Sequence, residues 1–257
     1  MILDANAFIG KWPYWPVTVS TPGDVIAELQ SIKMDCGAVC STRSVFVNWE
    51  DGNVEVEAAA KESSGGLIPF ACLGTKELSH EFHEAEYDFD GYAKRGFRGI
   101  RLYPQHHSYH LLFSKFVDVI LEDSASRGWP VLLPLRIIMN WGVPSIAPEA
   151  IHGIVTRHPK VNWILAGINY LFELQMATSL MLRYENVTLE TSCVMGYAAV
   201  EKTVQQCGHE QVLFGSGAPL QQAAASLAKI THAKISDSAK EALLGKNFER
   251  MLGVQVR

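Results

Sequence analysis

The sequence predicts an α/β protein, a closed (β/α)₈ barrel with the TIM-barrel architecture, on three observations. Short apolar segments alternate with amphipathic segments along the whole chain. There are eight of these apolar segments, and many of their residues are β-branched, as in the buried strands of a parallel sheet. The 257 residues leave about 32 for each strand–helix unit, the size of one βα repeat. A doubly wound open sheet is the alternative.

The predicted elements follow one another in a regular order. The strands cover residues 2–6, 38–41, 67–72, 99–102, 131–135, 162–166, 187–191 and 211–214. A helix begins at Thr21 or Pro22, a typical start signal, and its apolar residues then recur at helical spacing. Further helices are predicted near residues 54–61, 80–94, 111–127, 148–157, 171–184, 198–206, 220–230 and 237–252. Because no low-complexity linker divides the chain, we expect a single domain over residues 1–257.

Composition excludes several classes of protein. The chain has 22 basic and 27 acidic residues, a net charge of −5, which argues against nucleic acid or an anionic membrane as a partner. No apolar run reaches the length of a membrane span, and the first residues do not resemble a secretory signal. The five cysteines are an odd number without a C-x-x-C pair, which predicts reduced thiols and a cytoplasmic location.

Candidate site residues were sought at the carboxyl ends of the strands, where barrel enzymes place their chemistry. Arg101 alternates with apolar neighbours, so its side chain is expected to point into the barrel. Together with Arg136, which follows the fifth strand, it could clamp a carboxylate or phosphate. The alternative is a structural ion pair, for example with Glu190 or Asp4.

Histidines follow the fourth strand. His107 is a candidate general acid or base, because the ordinary pKa of histidine lies near neutrality. His106, His107 and His110 could instead form a metal site, or lie at the surface or in ordinary hydrogen bonds. Residues 80–84 contain two histidines at a spacing of three rather than the four of a zinc helix, so a solvated acidic helix is expected there.

Further candidates come from the first, sixth and seventh strands. Glu190 is a candidate general base or a residue that holds an arginine in place, and beside an arginine it is expected to stay ionised and weakly basic. Hydrogen bonds to a substrate are assigned to Asn6, Tyr103 and Asn169.

Trp12 belongs to a set of loop aromatics that suits a flat acidic ligand, or else caps the loops or forms a subunit interface. Cys193 is a candidate nucleophile with core packing as the alternative. The long apolar segment 137–148, which contains Trp141, is a candidate lid or oligomer contact.

An ordered series of motifs runs along the chain. Residues 2–10 read Ile-Leu-Asp-Ala-Asn-Ala-Phe-Ile-Gly, and residues 96–104 read Gly-Phe-Arg-Gly-Ile-Arg-Leu-Tyr-Pro. These two motifs resemble the opening strand, Asp-x-His-x-His-x-Gly, and the fourth strand of the amidohydrolase-related TIM-barrel family, amidohydrolase 2. Similar matches to the later strands and the closing helix occur at residues 128–133, 157–166, 186–192, 212–216 and 245–247. The resemblance covers nearly the whole chain and implies a fold of the metal-dependent hydrolase type.

The same resemblance implies metal-dependent hydrolases and decarboxylases of aromatic acids, but the metal-binding positions do not carry over. They fall on Asn6, Phe8, Pro134, Gly167 and Gly217. Zinc needs about three or four N, O or S donors at roughly 2.0–2.3 Å. Phenylalanine, proline and glycine side chains supply none, so the sequence predicts no metal and no other cofactor.

Three functions remain open. The first is a metal-independent hydrolase, or secondarily a decarboxylase or other lyase, acting on a small carboxylated and possibly aromatic metabolite. In it Arg101 and Arg136 bind the anion and His107 moves protons. The second is a non-catalytic barrel that binds a small molecule or serves as a partner subunit, with homo-oligomers possible. The third is a metal enzyme with ligands recruited from the histidines after the fourth strand.

Overall fold

The computed structural model describes residues 1–75, 87–138 and 145–253. Its centre is one sheet of eight parallel strands in chain order. The strands are β1 (Leu3–Ile9), β2 (Cys36–Ser41), β3 (Leu67–Leu73), β4 (Gly99–Leu102), β5 (Pro130–Pro134), β6 (Asn162–Ala166), β7 (Val187–Glu190) and β8 (Val212–Leu213). Nearly every strand residue is buried, as the apolar segments predict.

The sheet closes on itself between its first and last strands. Three backbone hydrogen bonds of 2.7–3.0 Å join Ala5 to Phe214, Phe8 to Ala218 and Asn6 to Gly217. The predicted (β/α)₈ barrel is therefore confirmed, and the doubly wound open sheet is excluded. The last strand is shorter than predicted, because the Phe214 N–H donates to Leu243 of the closing helix rather than to a neighbouring strand.

Helices surround the barrel. They are α1 (Pro22–Ser31), α2 (Thr42–Phe46), α3 (Trp49–Glu62), α4 (Phe89–Lys94), α5 (Lys115–Arg127), α6 (Pro148–Arg157), α7 (Leu171–Met181), α8 (Ala199–Cys207), α9 (Ala223–Thr231), α10 (Asp237–Glu241) and α11 (Asn247–Leu252), with a π-helical turn at Ala242–Lys246 before α11. Thr21 caps α1 as expected: it accepts from the N–H of Asp24, whose carboxylate bonds back to Thr21. No described helix is long and apolar enough to cross a membrane.

Four predicted helices differ at their starts. The helix predicted from residue 111 begins at Lys115, since His110 and Ser114 form a turn instead. The helices predicted from residues 54 and 220 begin at Trp49 and Ala223. Of the acidic helix predicted over residues 80–94, the described part is α4, which begins at Phe89 and is capped by Asp88. The segment with the two spaced histidines lies outside the described residues, as does Trp141 of the predicted lid.

Two layers of apolar side chains hold the fold together. The larger one lies between the strands and the helices. The smaller one fills the barrel interior, where residues such as Ala38, Phe70, Leu132 and Ile164 meet Phe248 of α11. Burial on this scale contributes about 25 cal/mol for each Å² of apolar surface. The polar groups that share the interior must therefore find partners inside it.

Candidate functional site

A group of buried polar side chains connects the first, fourth, seventh and eighth strands of the barrel. This axial cluster consists of Asp4, Asn6, Arg101, Glu190, Ser192 and Ser216, and all six are buried. They come from β1, β4 and the ends of β7 and β8, so the barrel brings together positions as much as 212 residues apart in the chain. Three of the predicted site residues, Asn6, Arg101 and Glu190, are members.

Arg101 lies at the centre of the axial cluster with no exposed surface. Its Nη1 donates to Asn6 Oδ1 at 2.9 Å and its Nη2 to the Ala38 carbonyl at 2.8 Å. The rings of Phe8 and Phe70 lie 5.1 Å and 5.8 Å from its Cζ, within the range of cation–π attraction. Arg101 Nε has no partner among the described residues. The guanidinium thus occupies the barrel interior as a fixed cation.

Glu190 contacts Arg101 only through Asn6. Its Oε2 accepts from Asn6 Nδ2 at 3.0 Å and from Ser192 Oγ at 2.8 Å, and its Oε1 accepts the Ser192 N–H. Burial raises the pKa of Glu190 to about 7, although these hydrogen bonds oppose the shift. This differs from the expectation of a weakly basic, ionised group, because burial dominates and no guanidinium of the described residues bonds to the carboxylate.

Asp4 lies deeper on the same strand. It accepts from the N–H and the hydroxyl of Ser216, at 2.8 Å and 2.5 Å. Burial raises its pKa above the ordinary value, while the Ser216 hydrogen bonds and the charge of Arg101 oppose the rise. The Asp4 side chain lies on the helix-facing side of β1, near Gly37 and Leu29, and neither of the two carboxyl groups of raised pKa bonds to the guanidinium directly.

The positions that the resemblance assigns to metal ligands do not fit a metal ion. The Asn6 amide is already bonded on both sides, to Arg101 and Glu190, and the Phe8 ring packs near the guanidinium. Gly167 and Gly217 have φ angles of +67° and +68°, which an L side chain adopts only with strain. A Cβ on Gly167 would also lie 2.0 Å from the Arg136 carbonyl oxygen. A cation would have to share this space with Arg101, and no group of three or more His, Cys, Asp or Glu that could bind a metal occurs among the described residues.

Arg136 lies after β5 and is already paired. Its guanidinium makes two hydrogen bonds to Glu173, one of them 2.7 Å long, and a third to the Gly167 carbonyl at 3.0 Å. Burial raises the pKa of Glu173, but hydrogen bonds from Arg136 and from the N–H groups of Asn169 and Tyr170 outweigh it and hold the pKa below its ordinary value. Arg136 and the predicted ligand residue Asn169 thus share one carboxylate.

The histidines after β4 point in separate directions. His107 bonds the Ser44 carbonyl through Nε2 at 2.9 Å, and its Nδ1 has no partner among the described residues. His106 packs edge-on against Phe46, and His110 stacks on Phe113. Burial lowers the pKa of His107 and lowers that of His106 to about 4.

The other predicted residues lie in packed surroundings. Tyr103 is buried, with its hydroxyl 3.4 Å from Cys40 Sγ. Trp12 contacts three rings, those of Tyr14, Trp15 and Phe46. Burial raises the pKa of the Cys193 thiol, which opposes a nucleophilic thiolate. All five cysteines are free thiols.

One small cavity lies between the ends of β4 and β5. The cavity between Tyr103, His106, Arg136 and Ile146 measures about 10 Å³, roughly the room that one water needs. Larger cavities lie off the axis, among them one of about 550 Å³ near Gln175, Arg183 and Gln206 and one of about 250 Å³ between α8 and α9. Another, of about 630 Å³, borders the segment after β1 and helix α3, and one of about 260 Å³ opens between the first turns of α7 and α8.

Sequence reasoning did not single out Glu173, Lys202 or Tyr197. A signal for Glu173 existed, since it stands at the third position of α7, where an acid bonds back to the helix start. Its pairing with Arg136 spans 37 residues, which no local pattern reveals.

Fold and site together define a TIM barrel with a buried arginine, Arg101, on its fourth strand. The model of the amidohydrolase family matches residues 45–254, and the chain belongs to that family. No curated protein matches the sequence.

Solved structures are similar over nearly their whole length. An uncharacterized TIM-barrel protein from Bordetella bronchiseptica is 17% identical, with a TM-score of 0.74 and 98% of each chain covered. The 5-carboxyvanillate decarboxylase from Sphingomonas paucimobilis is 13% identical, with a TM-score of 0.76 and 99% of each chain covered. A putative 2-pyrone-4,6-dicarboxylic acid hydrolase from Pseudomonas putida is 17% identical, with a TM-score of 0.74, 100% of this chain and 98% of that chain covered. At these identities the likeness shows the fold alone.

Proposed function

We propose that this amidohydrolase-family chain is a non-catalytic barrel that binds a small carboxylated metabolite and has lost the metal chemistry of its family. The observation that carries the proposal is the place of Arg101. Its guanidinium lies inside the barrel, bonded to Asn6 and Ala38, beside two positions to which the resemblance assigns metal ligands. A permanent positive charge there repels a metal ion and cannot act as a ligand.

The surroundings of the predicted catalytic groups support a site without catalytic activity. Arg101, Arg136 and His107 bond to three separate sets of partners. The cavity between the ends of β4 and β5, about 10 Å³, is far smaller than a metabolite. None of the cavities described above is lined by Glu190 or Asn6.

The names of the structural neighbours support this ligand class. One neighbour is a decarboxylase of 5-carboxyvanillate and another a putative hydrolase of a pyrone dicarboxylic acid. Both names describe small acids with a flat ring. A related barrel that keeps a binding role is expected to keep a ligand of similar size and charge, although fold alone does not transmit function.

A second candidate function rests on Glu190. A carboxyl group with a pKa of about 7 is suited to giving and taking a proton near neutral pH. In this alternative the chain is a metal-independent hydrolase or lyase, with Glu190 as the acid–base group and Asn6 and Ser192 positioning it. It requires an opening of the barrel mouth that exposes the carboxyl group to substrate.

A paired screen separates the two functions. Small aromatic and aliphatic carboxylic acids are tested for binding by thermal shift, and each is incubated with the protein while product is followed by mass spectrometry. The proposed function predicts binding without turnover. Turnover that disappears in Glu190→Gln, with the fold intact by circular dichroism, would establish the second candidate instead. A cytoplasmic location, a single domain and homo-oligomers stay predictions.

A further inference from the structure

The cavity of about 260 Å³ between α7 and α8 lies on the carboxyl-terminal side of the barrel. Its floor comes from the segments that follow β6 and β7, through Ile168 and Val194, both buried. Leu171 begins α7 and Tyr197 precedes α8, and they form opposite walls. The cavity therefore sits on the face where barrels of this fold bind their ligands, but outside the axial cluster.

The walls expose far more apolar surface than a solvated loop requires. Tyr197 is 92% exposed and Leu171 73% exposed. Tyr170 and Phe172, next to this wall, are also exposed, and their rings stack on each other. A contiguous apolar patch around a cavity is typical of a binding surface.

Among the described residues that line this cavity, one carries a charge. Lys202 lines it, with its ammonium 5.9 Å from the centre of the Tyr197 ring. Lys202 forms no ion pair within the part of the chain that the structure describes. The two nearby acids are engaged elsewhere, Glu173 with Arg136 and Glu201 with the N–H of Lys234.

The larger cavity beside α3 is bordered by charges of both signs. Lys11 and Arg43 border it together with Glu55 and Glu62, and Arg43 already pairs with Asp51 and Glu55. Opposite charges on one rim do not select the sign of a ligand. The α7–α8 cavity offers apolar walls and a single cation, so its charge complements an anion.

We infer that the α7–α8 cavity binds a small organic anion with an apolar body, which inserts between Leu171 and Tyr197 and places its carboxylate on Lys202. This inference rests on the proposed function and gives it a location. An apolar body buries the exposed walls, and the ammonium supplies an ion pair at the solvent edge, where such pairs are weak but selective.

The test uses phenylacetate, indole-3-acetate and hexanoate, each compared with its neutral amide by isothermal titration on the full chain. The acids are expected to bind about fivefold more tightly than the amides, the size of one exposed ion pair. Lys202→Ala is expected to abolish this preference. Lys11→Ala removes the same charge beside the other cavity and should leave it intact. Tyr197→Ser, at an exposed position, should weaken acids and amides alike.

The outcomes separate the inference from the proposed function. Acid binding that is unchanged in both Lys202→Ala and Tyr197→Ser would place the ligand elsewhere, overturning the inference while the proposed function stands. Failure of every acid to bind the wild-type chain would overturn both. Loss of the acid preference in Lys11→Ala rather than Lys202→Ala would assign the ligand to the larger cavity.

Discussion

At the scale of single residues, Arg101 brings a full charge into an apolar interior. Desolvation of a charge is costly, and it is compensated by Asn6, the Ala38 carbonyl, two aromatic rings and the Tyr103 hydroxyl. Asp4 adds attraction, since the charge of Arg101 lowers the pKa of that carboxyl group. Removal of the guanidinium therefore leaves the Asn6 amide oxygen and the Ala38 carbonyl buried without this donor.

Arg101→Met tests this dependence. We expect a loss of about 2–4 kcal/mol in the free energy of unfolding, because charged hydrogen bonds are lost and buried polar groups stay behind. Urea denaturation measures it. Arg98→Met, on an exposed arginine just before β4, serves as the control and should cost little. Equal stability of wild-type and Arg101→Met would show that the arginine does not organise the axial cluster.

Glu190 predicts a dependence of stability on pH. Its pKa of about 7 in the folded chain lies above the ordinary 4.5, so the folded state holds the proton more tightly than the unfolded state. The contribution is fully present below pH 4.5 and is lost as pH rises to about 7. At about 1.4 kcal/mol per pKa unit, the loss is about 3 kcal/mol.

Denaturant titrations of the wild-type chain and Glu190→Gln between pH 5 and 8 (roughly the range over which a shifted carboxyl group titrates) measure this contribution. The difference in unfolding free energy between the two proteins should change with pH, since glutamine does not titrate. Asp4 is present in both and cancels. A difference that is constant across the range would contradict the raised pKa of Glu190.

At the scale of elements, Glu173 connects three segments: the one after β5, the one after β6 and the start of α7. It pairs with Arg136 and accepts the N–H groups of Asn169 and Tyr170. One carboxylate therefore fixes where α7 begins and occupies the arginine that the sequence assigned to ligand binding. The wall of the α7–α8 cavity depends on the same contact, because Leu171 follows directly.

Glu173→Gln is expected to destabilise the protein by about 2–3 kcal/mol, because it removes a bidentate ion pair and weakens the helix start. Thermal and urea unfolding measure the change. Glu122→Gln makes the same chemical change on the exposed side of α5 and should be nearly neutral. An effect of equal size at both positions would mean that the Arg136 contact contributes nothing specific.

At the scale of the whole molecule, the barrel closes where β1 meets the segment after β8. The Ser216 hydroxyl donates to Asp4 and accepts the N–H of Ala218. One side chain therefore stabilises the seam, which is the contact between β1 and the segment after β8. We predict that Ser216→Ala lowers the unfolding free energy by about 1–3 kcal/mol. It should also speed amide exchange at Ala5 and Phe8, which bond across the seam.

Amide hydrogen exchange followed by NMR measures directly how well the hydrogen bonds across the seam are protected. Ser126→Ala, which removes a hydroxyl bonded only to a carbonyl in the exposed part of α5, is the control. Unchanged exchange at the seam in Ser216→Ala would show that backbone bonding alone closes the barrel.

The sequence predicted the barrel because buried parallel strands have a distinctive apolar pattern, and all eight appear at the predicted places. It missed α2, Thr42–Phe46, since five residues are too few to show helical periodicity. It placed Arg101 inside the barrel from the alternation of neighbours. It did not reveal that Arg136 is neutralised by Glu173 or that Glu190 has no arginine contact, because both depend on packing between distant segments.

The central claim is that Arg101 stands where a metal ion would act, and metal content tests it most directly. The purified chain is exposed to an equimolar amount of Mn²⁺ or Zn²⁺, desalted, and analysed by elemental mass spectrometry, with Asn6→Ala alongside it. The account predicts far less than one metal ion per chain in both proteins. About one tightly held ion per wild-type chain, lost in Asn6→Ala, would contradict it and restore the metal chemistry of the family.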